Sequence, residues 1–295
     1  MTTTVSHPTS SATEKFGPGP LQTPAAKIWS VLLRIVVAQV IMLAGYGPML
    51  LISQLPGMDA TADGRAGNWG LALLKLTGPM LSVPLTALAL LWLATRFLDR
   101  RPFRVTGIRV DRRTLPALLL GVGVSLAVVV PASVLLGRLG LVPVYPDNTT
   151  APLWVVVVNI LMMGFVMQGI PEEFVWRGWL TQSVGGSQQR QALIAATFFG
   201  LAHIVSNGGH ASWWEGAIYV LDAAAFGYAA AALYFATGSL WGAVGIHGGL
   251  HLANYLAQTL GGGEGWTLNL VQITLYLLIG AAVMRRLPER PTVNS

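Results

Sequence analysis

Two adjacent carboxylates, Glu172 and Glu173, precede Arg177 in the stretch Ile170-Pro171-Glu172-Glu173-Phe174-Val175-Trp176-Arg177-Gly178-Trp179-Leu180, just after an apolar run from Leu153 to Met167. Ionisable groups at membrane depth cost roughly 2.5–3.5 kcal/mol each on insertion scales, so they are retained for a task or for a partner. Helical spacing divides the labour. Glu173 and Arg177 are i,i+4 and can pair on one face. Glu172 is rotated by about 100° from Glu173 and has no sequence-local cation. That leaves Glu172 as the carboxylate free for chemistry, with a purely structural Glu–Arg clamp between helices as the alternative.

Three histidines add to this acid. His203 ends Phe198-Phe199-Gly200-Leu201-Ala202-His203, and two more lie in Gly245-Ile246-His247-Gly248-Gly249-Leu250-His251. Phe199 and His203 share one helix face, and His247 and His251 share another. A lone membrane histidine is more often a hydrogen-bonded link between helices than a catalyst. Three of them at the depth of a spare carboxylate point instead to a water-filled site or an ion path. Gly245, Gly248 and Gly249 would let another backbone approach His247 closely. Asp222 is a further buried acid without an obvious neighbour, while Arg34, Lys75 and Arg138 lie near helix ends, where their long stems can snorkel.

These residues need a membrane bundle to hold them. The chain of 295 residues is 53% hydrophobic and only 10% charged, against roughly 25% charged in a soluble domain. Its apolar residues fall into eight segments, at about 28–55, 71–97, 115–139, 153–184, 192–205, 213–235, 240–260 and 268–284. About 20 residues cross the hydrocarbon core at 1.5 Å per residue; the fifth segment is too short to do so exposed to lipid and belongs inside the bundle. The expected fold is therefore all-α, a polytopic membrane bundle of about eight transmembrane helices. Arg96, Arg100, Arg101, Arg104, Arg109, Arg112 and Arg113 between segments two and three, and Arg285, Arg286 and Arg290 at the end, put both termini in the cytoplasm by the positive-inside rule. The same placement removes nucleic acid as a reading of the net charge of +6. Residues 1–24, rich in Ser, Thr, Pro and Gly, read as a disordered cytosolic tail. Residues 25–149 hold helices one to three, 150–287 the core with all the motifs, and 288–295 a short tail. With no cysteine, disulfides, thiolate metal sites and Cys nucleophiles are excluded.

Taken in order, Glu172-Glu173-x-x-x-Arg177, Phe199-x-x-x-His203 and His247 four residues before a polar partner resemble the three motifs of the CAAX-protease and bacteriocin-processing family. Phe226-Gly227-Tyr228 and Thr237-Gly238-Ser239-Leu240-Trp241-Gly242-Ala243 are similar to it as well. The resemblance spans about 150–258. One departure is His251, where the family usually carries asparagine, with Asn254 one turn further on.

The resemblance implies an intramembrane endopeptidase in which Glu172 and His203 activate a water, while His247 and His251 donate to the oxyanion. Imidazoles suit that work near neutrality. Glu173 and Arg177 would hold helix four in register, and Phe199 and Asn254 would support the site. A metal-independent mechanism is favoured. The alternative is zinc held by Glu172, His203 and His247, a donor set of known type, although no His-Glu-x-x-His signature is present. Two rival classes use the same groups: a transporter or proton relay, and a catalytically silent scaffold. No inverted repeat supports transport. The partners expected are the lipid bilayer and a peptide or membrane-protein substrate, which need not be prenylated. The preponderance of Arg over Lys fits a GC-rich genome and a bacterial plasma membrane.

Overall fold

The structure, a computed structural model, describes residues 27–145, 150–205 and 211–288. The tail expected at 1–24 and nearly all of that at 288–295 lie outside the described residues. Among these residues eight principal helices follow one another: α1 (Lys27–Ser53), α2 (Trp69–Leu98), α3 (Thr114–Arg138), α4 (Leu153–Ser183), α5 (Gln188–Ala202), α6 (Trp213–Thr237), α7 (Leu240–Thr259) and α8 (Trp266–Met284). A short helix, Ala60–Arg65, and a 3-10 turn, Phe103–Thr106, fill two connections, and no strand occurs among the described residues. The protein is an all-α integral membrane bundle.

Six of these helices are long and apolar enough to cross a membrane, which refines the expectation of about eight. The two outside that set are α5 and α7. At 15 residues, α5 is too short, as its sequence suggested. Glycines and histidines dilute the apolar content of α7, and Leu240 and Gly242–Gly249 are buried by protein. A helix enclosed by its neighbours needs no apolar surface to remain at membrane depth.

Glycine sets the position of α7. A Cβ on Gly245 would lie 2.2 Å from the Leu118 carbonyl oxygen, and one on Gly121 would lie 2.3 Å from that of Gly242, so α3 and α7 touch backbone to backbone. Ser125 Oγ–H donates to the Ile246 carbonyl at 2.5 Å across the same contact. On the opposite side, Gly248 lies against the Phe165 ring of α4. Wedged in this way, α7 can present His247 to α4 in one orientation. At its start, α6 ends on Gly238 in a left-handed conformation (φ 64°) and Ser239 caps α7. The arginine-rich connection docks there: Arg109 donates to the Gly238 carbonyl at 3.0 Å, and Trp241 Nε1–H donates to the Arg109 carbonyl at 2.8 Å.

Two cations behave differently from the expectation that they snorkel. Arg34 is only 4% exposed. It pairs with Asp99, just past the end of α2, at 2.7 Å, and hydrogen-bonds Ser30. Trp179 Nε1–H of α4 donates to the other oxygen of Asp99 at 2.6 Å. One carboxylate therefore ties α1, α2 and α4 together, and the pairing removes the need for water. Lys75 likewise pairs with Asp63 of the short helix.

Candidate active site

The acidic stretch sits on an unusual helix. In α4 the four-residue α-helical segment Ile170–Glu173 lies between two π-helical stretches, Met162–Gly169 and Phe174–Leu180. Pro171 has no N–H to give the preceding turn. Wide turns of this kind concentrate at functional sites because they re-aim side chains within a continuous helix. Here they surround two buried acids, and every residue from Pro171 to Thr181 is buried.

Glu173 and Arg177 pair as their spacing suggests, at 3.1 Å, with both side chains 0% exposed. The guanidinium stacks over the Phe199 ring, 4.1 Å from Cζ to the centroid, which gives Phe199 its place as a supporting residue. Its other side rests on Gly227, where a Cβ would come within 2.7 Å of Arg177 NH2 and 3.1 Å of Phe199 Cδ1. Only a residue without a side chain leaves room for that stack.

Glu173 also does something its spacing could not reveal. Its Oε1, the atom that accepts from Arg177, lies 2.9 Å from Nδ1 of His247. An ionised carboxylate can only accept, so Nδ1–H is the donor and Nε2 carries the lone pair of the neutral ring. That second nitrogen faces Glu172 Oε2 at 4.0 Å. The separation is too long for a direct hydrogen bond and has the span of a water bridge. The imidazole of α7 thus lies between the two acids of α4. Glu172 turns its remaining oxygen, Oε1, to the phenol of Tyr46, which donates to it at 3.2 Å.

His203 caps the end of α5, where its Nδ1–H donates to the Phe199 carbonyl at 2.8 Å. A carbonyl cannot donate, so the neutral ring keeps its lone pair on Nε2. The ring packs against Phe199 at 4.6 Å and Tyr219 at 5.9 Å, and Phe199 in turn meets His247 at 6.4 Å. His251 stacks on His247 at 6.0 Å with an interplanar angle of 14°. Glu172, Glu173, Arg177, Phe199, His203, His247 and His251 therefore form one connected group. Asn254, half-buried one turn beyond, has no hydrogen bond among the described residues that joins it to this group. Asp222 lies one turn from Phe226, whose ring packs edge-on to His247 at 5.4 Å; its Oδ1 is buried without a hydrogen-bond partner among the described residues. No three His, Cys, Asp or Glu side chains among the described residues converge where an ion could sit, and the set Glu172, His203 and His247 is no exception.

Sequence reasoning missed Tyr46 and the second partner of Glu173. A hydrogen-bonding side chain in the middle of an apolar helix, two residues before Pro48, was the available signal for the first. The second depends on contact between helices far apart in the chain.

No curated protein matches the chain, whereas residues 152–253 match a family model described as type II CAAX prenyl endopeptidase Rce1-like. The matched stretch runs from the start of α4 into α7 and carries both acids, Arg177, Phe199 and all three histidines. Through these residues the stretch from α4 into α7 is similar to the CAAX-protease family of membrane endopeptidases.

Proposed function

We propose that the protein hydrolyses a peptide bond near the cytoplasmic side of the bacterial plasma membrane, with a water activated by Glu172 and His203. The observation that carries this reading is the imidazole of His247 between two buried carboxylates, Nδ1 at 2.9 Å from Glu173 and Nε2 at 4.0 Å from Glu172. A purely structural clamp would need only Glu173 and Arg177. It would not direct a second acid and a second ring nitrogen at a common space.

In the proposed reaction a water beside Glu172 Oε2 and the Nε2 lone pair of His203 attacks the carbonyl carbon as Glu172 takes its proton. The carbonyl π pair moves to oxygen. In its imidazolium form, with both ring nitrogens protonated, His247 donates to that oxyanion from Nε2, and Glu173 fixes which ring nitrogen faces the reaction by accepting from Nδ1. His251, stacked behind His247, supplies the position that the family fills with asparagine. Glu172 then returns its proton to the departing nitrogen, the C–N bond breaks, and an acid and an amine leave. No step is routed through a metal.

The substrate class is a peptide or membrane protein that reaches the site from the bilayer. The test is purified protein with a panel of quenched peptides, with and without chelator, beside Glu172→Ala. Cleavage by the wild type that Glu172→Ala lacks and chelator leaves intact supports the reading. Activity lost to chelator and restored by zinc would move the chemistry to the set Glu172, His203 and His247. Failure of the wild type to cleave any peptide, while binding or moving ions, would favour a relay.

A further inference from the structure

We propose that Tyr46 of α1 is the positioning residue of Glu172, so that the active site is completed by a helix outside the stretch that matches the family. The proposal rests on the peptidase reading and deepens it. Glu172 is only 9% exposed, and Tyr46 is the group that donates a hydrogen bond to its Oε1, at 3.2 Å. The two carboxylate oxygens are thereby told apart. Oε1 is occupied by a phenol, and Oε2 is the one turned toward His247 Nε2. A carboxylate on a flexible side chain needs such a contact to keep one oxygen aimed at the reacting water, and a misplacement of about 1 Å can cost roughly a hundredfold in rate.

The local structure of α1 is built to bring the phenol there. At Gly45 the helix runs close to α2, with room for no more than ordinary contact between a Cβ and the Val83 carbonyl, 3.5 Å away. Pro48 has no N–H, so the carbonyl one turn earlier loses its helical partner and α1 can bend near Tyr46. The ring itself packs on Met80, Val83 and Met167, alongside Met49, Met162 and Met163. Flexible methionines hold the ring by its apolar faces and leave its hydroxyl to Glu172.

Tyr46→Phe removes one hydroxyl and keeps this packing, and Met49→Leu is the control for packing alone. A hydrogen bond to a charged group lost from the reacting geometry lowers kcat by about ten- to a hundredfold. The expected result is that loss in Tyr46→Phe with KM within about twofold of wild type, and no change in Met49→Leu. Equal kcat in Tyr46→Phe and wild type would overturn the proposal, as would a loss that appears in KM alone. If the wild type cleaves no peptide, the peptidase reading fails and a second readout decides the positioning role. Thermal unfolding of Tyr46→Phe, Glu172→Ala and the double variant in detergent should then be non-additive, because both single changes remove the same hydrogen bond. Additive shifts would overturn the proposal in that case too.

Discussion

Glu173→Gln is the perturbation whose outcome the geometry determines most closely. Glu173 Oε1 serves two donors, Arg177 at 3.1 Å and His247 Nδ1 at 2.9 Å, in a place with no exposure to solvent. Glutamine keeps the shape but removes the charge, and its amide turns two N–H groups toward a guanidinium. Arg177 would remain buried against Phe199 and Gly227 with no carboxylate on its own helix face. Removing one partner of a buried pair costs roughly 3–5 kcal/mol. At about 2–4 °C per kcal/mol, the melting temperature should fall by roughly 6–20 °C. Glu172→Gln is the matched control. Its amide oxygen can still accept from Tyr46, and at 4.0 Å from His247 there is no hydrogen bond to lose. Its stability should change by less than about 1 kcal/mol, while turnover is abolished. The ten tryptophans, with Trp176 and Trp179 in the core, supply the intrinsic fluorescence for unfolding in detergent. Equal melting shifts in the two variants would sink the division of roles between the acids.

Single cysteines placed at Arg104 and Arg286 should react with an impermeant reagent from the same side, the cytoplasmic one; the native chain has no cysteine to interfere, and labelling from opposite sides refutes the topology. Gly227→Ala should displace Arg177 from the Phe199 ring and cost about 1–3 kcal/mol as overpacking. Its control is Gly123→Ala, which has nothing within 4 Å of the added methyl and should leave melting and activity unchanged. His251→Asn should keep most of the activity, and His251→Ala should lose about 10²–10³ in kcat if the ring supports the oxyanion. Full activity in His251→Ala assigns that work to His247 alone.

What could be read from the sequence was local. α3 runs Thr114–Arg138, within a residue of the apolar segment at either end, because charged residues and glycine bound it. The Glu173–Arg177 pair was legible because i,i+4 neighbours meet without help from other helices, and even a π-helical stretch starting at Phe174 did not prevent it. The π turns themselves were invisible, since no residue type demands an i→i+5 bond. Arg34 looked like a snorkelling side chain because Asp99 lies 65 residues away, and only the packing of α1 on α2 and α4 brings them together. Tyr46 was one more residue of the first apolar segment. Its meaning depends on Glu172, 126 residues on, and on the packing that brings α1 to α4.

The Arg34–Asp99 pair bears on how such a chain enters the bilayer at all. A ribosome delivers helices from the N-terminus onward at about 5–20 residues per second, so α1 and α2 are available to each other well before α4 exists. Their cation and anion can cancel within that first hairpin, and Trp179 later closes onto a node already neutral. Arg177 arrives with its own counter-ion four residues upstream. Glu172 enters without a cation of its own and finds the phenol of Tyr46 waiting; the imidazole it faces arrives later, on α7. Arg34 and Arg177 thus reach lipid with a counter-ion already at hand, whereas Glu172, the acid reserved for chemistry, does not.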